Sequence, residues 1–436
     1  MKYRDLLVNK INHRSCQIGI FGLGYVGLPL ATLFGEHGFN IIGFENDTKK
    51  INSIINCRSY LHQIEHSLIK KLVENQFLKV TDDFSLVKSL DILIFCLPTP
   101  LGEHRDPDLS YILNTLDSIK PFLQKGQTLI IESTTYPGTT DELLKPLLES
   151  HGFTIGVDFF LVYSPEREDP GNEKFSIQTI PKVVSGITDQ CKEIGEILYK
   201  QIINQIVPVS STKTAEMAKL LENIHRSVNI GLVNEIKPLA DKLNLDIYEV
   251  IKAASTKPFG FSPYYPGPGL GGHCIPIDPF YLTWKAKEFD IRTKFIELAA
   301  EINSSMPYYV VNKTAEALNN NSQSIKDSRI LILGLSYKKN IDDVRESPSI
   351  EILSLLDSKG AIISYSDPFF SKFPNLRKYK FNFESIDVTK NSLSLFDCVI
   401  IATDHDSFDY DLIKENSKLI IDPRGRFTPS EKIYRA

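Results

Sequence analysis

No run of apolar residues approaches the ~20 needed to cross a bilayer as a helix, and the opening stretch MKYRDLLVNKINHRSC has no secretory hydrophobic region. Positive charge is not in excess either. Against 49 Lys and Arg stand 54 Asp and Glu, a net charge of −5, so the basic footprint of a nucleic-acid binder is missing. Cysteine is sparse: six residues, at 16, 57, 96, 191, 274 and 398, show no CxxC spacing, which argues against zinc and against a disulfide framework. These absences point to a cytoplasmic chain with reduced thiols, no metal, and no nucleic-acid or membrane partner. What is present is globular: 436 residues, 42% of them hydrophobic, suffice for roughly two or three domains.

Residues 17–45 read as strand, glycine turn, helix, strand, and buried-strand runs follow at 91–98, 128–133 and 158–164. Continuously apolar strands separated by helical stretches, such as 109–123, indicate a parallel doubly wound sheet. From Ser211 the period turns helical for some 30 residues, with Ser211 or Thr212 as the cap. A second α/β unit begins at SRILILGL (328–335). The expected architecture is therefore α/β, two Rossmann-like doubly wound domains joined by a long central helical segment. Its expected divisions are 1–210, an N-terminal nucleotide-binding domain, 211–310, a central helical segment with a cysteine loop, and 311–436, a C-terminal Rossmann-like domain. A helix this long needs a cover along its whole length, and a second subunit would supply one, so a homodimer or higher homo-oligomer is expected.

Gly22-Leu23-Gly24-Tyr25-Val26-Gly27 is a GxGxxG placed between a strand and a helix. Gly22 permits the tight turn, Gly24 lets backbone approach a pyrophosphate, and Gly27 lets helix and strand pack closely. Glu45 ends the second strand, where an acid binds ribose hydroxyls and repels a 2′-phosphate, so NAD is favoured over NADP. Thr99, Ser133 and Thr134 lie at strand carboxyl ends and could bond cofactor or substrate; ordinary loop capping explains each equally well. The segment PYYPGPGLGGHCIPIDP (263–279) sets Cys274 among glycines, with Asp278 four residues on. Such a loop leaves a thiol accessible and backbone N–H groups open to an anion, whereas Cys96 and Cys398 sit in apolar strands and read as core. Lys219 and Asn223 share a helix face at i, i+4, although spacing alone favours a solvated lysine and a surface amide. Glu166, in YSPERED, follows a strand end and so faces the crevice, but its charged surroundings read equally as a solvated loop.

In this order, GLGYVGLPLA, PTP, EST, SPE, AEMAKLLEN, GGHC and SYKKNIDDVRESPS resemble the UDP-glucose/UDP-mannose dehydrogenase superfamily over nearly the whole chain. The resemblance implies NAD as cofactor, a UDP-sugar as substrate, the nucleotide held by the C-terminal unit, and oxidation of carbon 6 from alcohol to acid with two NAD per turnover. Cys274 would be the nucleophile, forming a thiohemiacetal and then a thioester. Lys219 and Asn223 would steady the oxyanion, Asp278 would orient a water as base, Glu166 would serve thioester hydrolysis, and Thr134 would stand beside the water. Around the cofactor the resemblance places Tyr25, Val26, Lys50, Pro98 and Arg345 with the residues already named. Around the sugar nucleotide it places Arg167, Tyr264, Tyr265, Gly271, Tyr337, Lys338 and Arg424, with Lys338 and Arg424 supplying the local positive charge.

Arg167 after Glu166, Ile277 where a lysine is usual, and the loop PGPGLGGHC resemble the branch acting on N-acetylated sugars, closest to UDP-N-acetylglucosamine 6-dehydrogenases of O-antigen, lipopolysaccharide and other surface-polysaccharide biosynthesis. UDP-N-acetylgalactosamine, UDP-N-acetylmannosamine and UDP-glucose are the alternatives. Two departures stand out. The arginine often found before the substrate loop is absent, with Lys257 and Pro258 nearby, and Glu45 replaces the more usual Asp.

Overall fold

The computed structural model describes residues 2–168, 175–272, 274–376 and 378–436. It divides into two compact units, one up to Glu222 with Phe280–Ile291 and the other Asn223–Pro279 with Arg292–Ala436, so the division falls inside the central helix Thr212–Lys242.

The first unit is built on an eight-stranded sheet. Its strands are β1 (Gln17–Phe21), β2 (Asn40–Phe44), β3 (Leu78–Thr81), β4 (Ile92–Phe95), β5 (Thr128–Ile131), β6 (Phe160–Tyr163), β7 (Lys182–Gly186) and β8 (Ile206–Pro208). They lie in the order β3-β2-β1-β4-β5-β6-β7-β8. The reversal between β1 and β4 is the switch point at which open α/β sheets bind ligands. β1, β4, β5 and β6 are buried nearly throughout because helices cover both faces, which is why they read as unbroken apolar runs. The parallel expectation fails at one edge: β7 runs antiparallel to β6, and β8 follows β7.

The second unit carries β9 (Arg329–Leu333), β10 (Ile362–Ser366), β11 (Cys398–Ile401), β12 (Ile420–Asp422) and β13 (Ile433–Arg435), all parallel, in the order β10-β9-β11-β12-β13. Its core combines Ile330, Ile332, Ile400 and Ile421 with Ile352, Leu353 and Leu356 of the helix Pro348–Ser358 and Val310 and Leu318 of the helix Lys294–Asn320.

The central helix is 31 residues long and contains Pro238. Ser211 Oγ accepts from Thr214 N–H at 3.1 Å, a side-chain cap at the expected place. The helix buries polar side chains beside Leu220, Ile224 and Val233 and leaves several apolar ones exposed. Glu216, Lys219, Asn223, Ser227, Asn234 and Lys237 are buried, while Leu221, Leu232, Ile236 and Leu239 are exposed. No helix among the described residues is long and apolar enough to cross a membrane.

Candidate active site

The turn after β1 is set by sterics. Gly22 has φ +87°, and a Cβ there would stand 2.7 Å from the Cys96 carbonyl oxygen; a Cβ on Gly27 would stand 1.9 Å from that of Gly22. Above Gly24, by contrast, nothing lies within 4 Å of a Cβ position. The helix Gly27–Glu36 begins there on Val26 without a side-chain cap, so its positive end is open to an anion. Tyr25 is half-buried beside it. Glu45 Oε2 accepts from Leu23 N–H at 3.2 Å and from Lys50 Nζ at 3.1 Å. Lys50, expected at the cofactor, therefore holds the acid, and its ammonium also lies 5.7 Å from the centre of the Tyr60 ring. Tyr60, which sequence reasoning missed, donates its hydroxyl proton to the Leu23 carbonyl and locks the turn from the other side. The open space over Gly24, the uncapped helix end and the anchored strand-end acid fit a dinucleotide.

At the ends of β4 and β5 the expected residues divide. Ser133 Oγ accepts from Leu97 N–H at 2.9 Å, and the carbonyls of Leu97 and Phe95 lie at 2.8 and 3.3 Å as acceptors for its proton, so this hydroxyl ties two strand ends together. Thr99 is buried and its carbonyl accepts from Tyr281 at 2.7 Å; Pro98 is exposed and Thr134 half-buried. Desolvation pushes the Cys96 thiol well above its ordinary range, as suits an unreactive cysteine, although the residue is only half-buried.

Lys219 lies on the part of the central helix belonging to the first unit, where its ammonium donates to the Glu166 carbonyl oxygen at 2.5 Å and stands 3.6 Å from Glu166 Oε2. The solvated face that spacing favoured is thus overturned: Lys219 and Asn223 are only 5% and 2% exposed. The solvated-loop reading of Glu166 falls with it. Glu166 Oε1 is buried without a hydrogen-bond partner among the described residues, and burial raises its carboxyl pKa against the pull of Lys219 and Lys182. Arg167 pairs with Glu222 at 2.7 Å and donates to the Pro181 carbonyl at 2.7 Å, a bracing task beside its expected one.

In the second unit, Cys274 is half-exposed and its carbonyl accepts from Asp278 N–H at 2.9 Å, so the thiol stands at the entry to the helix Asp278–Ala286. Asn223 Nδ2 donates to Asp278 Oδ2 at 2.5 Å, which fixes that buried carboxylate. His273 lies outside the described residues. The glycine loop before the cysteine is stapled in place. Gly272 N–H donates to the Arg345 carbonyl at 2.8 Å, and a Cβ on Gly271 would stand 2.4 Å from Tyr337 Cβ. Gly267 N–H donates to Asn234 Oδ1 at 3.0 Å; Asn234 in turn donates to Asn303, and Asn303 to the Ser227 carbonyl. The sequence signal for this relay was present: amides inside two helices are disfavoured unless they are hydrogen-bonded.

Arg424 Nε donates to the Ala402 carbonyl at 2.8 Å, while its buried Nη2 has no partner among the described residues, and burial lowers its pKa. Gly267 leaves Nη1 3.2 Å from where a Cβ would be. A guanidinium so placed suits an anion. Tyr248 joins the two segments, donating to the carbonyls of Pro423 at 3.1 Å and Pro266 at 3.3 Å, and its ring stacks on exposed Tyr265. The Tyr264 hydroxyl hydrogen-bonds His225 Nδ1 at 3.1 Å. Lys338 is half-buried, and the Arg345 guanidinium forks onto Asp343 at 2.7–3.1 Å.

The NAD-binding domain of the UDP-glucose/GDP-mannose dehydrogenase family matches residues 16–203, its central domain residues 213–305, and its UDP-binding domain residues 331–429. The chain belongs to this family. The family's second named substrate is GDP-mannose, where a UDP-mannose was expected. A UDP-N-acetyl-D-glucosamine 6-dehydrogenase of Salmonella typhi is 34% identical over 90% of this chain and 90% of its own. A UDP-N-acetyl-D-mannosamine dehydrogenase of Methanococcus maripaludis is 32% identical over 91% and 88%. The solved structure of a UDP-D-ManNAc dehydrogenase from Pyrococcus horikoshii superposes with a TM-score of 0.86 at 31% identity, covering 96% of this chain and 98% of that one. NAD is accordingly the cofactor, and the family's UDP-binding domain makes a UDP-sugar the substrate class.

Proposed function

We propose that the chain oxidises carbon 6 of UDP-N-acetylglucosamine to the carboxylate, with Cys274 as covalent nucleophile. The observation that carries this reading is the half-exposed Cys274 at the head of a glycine-built loop, backbone-bonded to an Asp278 that Asn223 holds. In this scheme Asp278 orients the water that takes the hydroxyl proton of carbon 6, and Lys219 and Asn223 donate to the oxygen as charge develops on it. Bound NAD supplies the hydride acceptor, two molecules being reduced per sugar. The Cys274 thiolate adds to the aldehyde carbon, so that the second oxidation leaves a thioester and no free aldehyde. Water then adds to the thioester carbonyl, Glu166 holding its proton, and the C–S bond breaks to return the thiolate. Arg424, Tyr337 and Lys338 hold the UDP.

The N-acetylglucosamine choice is supported by the Salmonella relative and by the Arg167 and PGPGLGGHC features; N-acetylmannosamine is the second reading, supported by the Methanococcus and Pyrococcus relatives. The leucines exposed along the central helix support a homodimer in which a second copy covers them. Purified protein with NAD and each of the four UDP-sugars tests the proposal. The expected outcome is two NADH per UDP-N-acetylglucosamine and loss of net turnover in Cys274→Ala. Full activity in that variant overturns the covalent scheme, and turnover of UDP-glucose alone overturns the substrate. Light scattering of a monomer at micromolar concentration would overturn the dimer.

A further inference from the structure

The segment Ser164–Arg167 is laced to the start of β7 by three side chains. Ser164 Oγ donates to the Val183 carbonyl at 2.8 Å, Lys182 Nζ to the Pro165 carbonyl at 3.3 Å, and Arg167 Nη1 to the Pro181 carbonyl at 2.7 Å. Glu166 is the member of the stretch whose carboxyl takes no part in the lacing, and its own N–H donates to the Glu132 carbonyl at 3.3 Å. The strand partner that does most here is Lys182, a lysine only 8% exposed. Its ammonium sits 2.6 Å from Glu132 Oε2 and 4.8 Å from the centre of the Tyr199 ring, and the Tyr199 hydroxyl donates to the other oxygen of Glu132. A buried cation is tolerated only when paired and hydrogen-bonded in this way. Nothing in the proposed chemistry uses this pair directly.

We infer that Lys182, clamped by Glu132 and Tyr199, is a positioning residue for Glu166. It pins the peptide group immediately before that glutamate and lies in the field that governs when its carboxyl ionises. The inference rests on the reading of Glu166 as the group that serves thioester hydrolysis. The charged and titratable groups around Glu166 come from four elements: Lys219 from the central helix, Lys182 from β7, Glu132 from the end of β5, and Cys96 from the end of β4. Burial disfavours the Glu166 carboxylate, Lys219 and Lys182 favour it, and Glu132 disfavours it. Removing Lys182 and removing Glu132 must therefore move Glu166 in opposite directions, which a general loss of packing would not do.

The test uses full-length Lys182→Met, Glu132→Gln and the charge-neutral Glu132→Gln/Lys182→Met variant, with NAD and the acetamido UDP-sugar that turns over fastest. For Lys182→Met, and for the double variant that leaves no buried charge unpaired, kcat falls about tenfold or more with KM for both ligands within about threefold. The sugar thioester then accumulates on Cys274 and is read as a mass shift on its peptide. The acid limb of the kcat–pH profile moves up in Lys182→Met and down in Glu132→Gln. The inference is overturned if the folded double variant keeps wild-type kcat without thioester accumulation, or if both single variants move the limb the same way. Full turnover in Cys274→Ala would instead remove the covalent reading itself. An inactive Cys274→Ala beside unaltered Lys182 variants would remove only the positioning role.

Discussion

The turn after β1 reads Gly22-Leu23-Gly24-Tyr25-Val26-Gly27, and the turn after β9 reads Gly334-Leu335-Ser336-Tyr337-Lys338-Lys339. The backbone treats their first halves alike. Gly22 and Gly334 have φ of +87° and +84°, and their N–H groups donate to Phe44 and Ser366 at 2.9 and 2.8 Å. The next N–H in each case, that of Leu23 or Leu335, donates to the acid ending the neighbouring strand, Glu45 or Asp367. From there the two diverge. Gly24 faces open space, whereas its counterpart Ser336 is wholly buried. Glu45 is met by the half-exposed Lys50, while Asp367 is sealed by buried His405, whose Nε2 stands 3.3 Å away, and by the N–H groups of Phe369 and Phe370. His405 Nδ1 accepts from Asn340 N–H, which leaves the proton on Nε2 for Asp367. The same turn thus leaves open space in one unit and is filled by protein in the other, where Tyr337 and Arg424 meet the glycine loop instead.

Substitutions can break or sharpen this contrast. The largest expected effect is on Asp367→Asn, which strips a buried five-donor acceptor and should cost about 3–5 kcal/mol in denaturant unfolding. Burial opposes ionisation of Asp367, but the hydrogen bonds from His405 and the backbone hold its carboxyl below the ordinary 3.8. Its contribution is therefore complete above that value and lost as pH falls through the lower folded one; acid unfolding of wild type in this window, absent from the variant, checks the sign. Next come Gly22→Ala and Gly334→Ala, each expected to lose about 2–3 kcal/mol, since both force a Cβ against a carbonyl at positive φ. Unequal losses would break the likeness of the two turns. Gly24→Ala should leave stability within about 0.5 kcal/mol yet raise the NAD Kd about tenfold by calorimetry. Smallest is Ser336→Ala, which removes a buried hydroxyl without a hydrogen-bond partner among the described residues and should change thermal stability by under about 1 kcal/mol, upward, with NAD affinity unaltered.

Much of this was legible from residue order. Unbroken apolar runs placed β1, β4, β5 and β6, because helix-covered parallel strands have no wet face to alternate with. The next-to-edge strand β7 is hidden, since Lys182 and Ser185 interrupt the pattern and owe their burial to distant partners, and the edge strand β8 is only three residues long. The cysteine loop announces itself by its glycines, yet the reason for Gly271 and Gly272 lies in the side chain of Tyr337, some 65 residues away, and only tertiary contact reveals it. The burial of Lys219 and Asn223 is hidden from spacing because amphipathic reasoning assigns lysines and amides to the surface, and on this helix they share the interior with Leu220 and Ile224 while Leu221, Leu232 and Leu239 are exposed. Ser133 is legible as a strand-end polar group and Arg167 as a substrate residue only through the resemblance, but the backbone carbonyls that they bond leave no trace in local sequence.

The central helix has a consequence for how this chain tolerates change. At about 100° per residue, its polar stripe in the second unit keeps phase only while the count between Asn223 and Lys237 is preserved. A single inserted or deleted residue anywhere between them would rotate everything downstream by more than a quarter turn. Placed before Asn234, such a change would leave Asn223 on Asp278 but swing Asn234 off Gly267 and Asn303. The helix acts as a counting device: its side chains can drift one at a time, but its length between those two residues is effectively frozen.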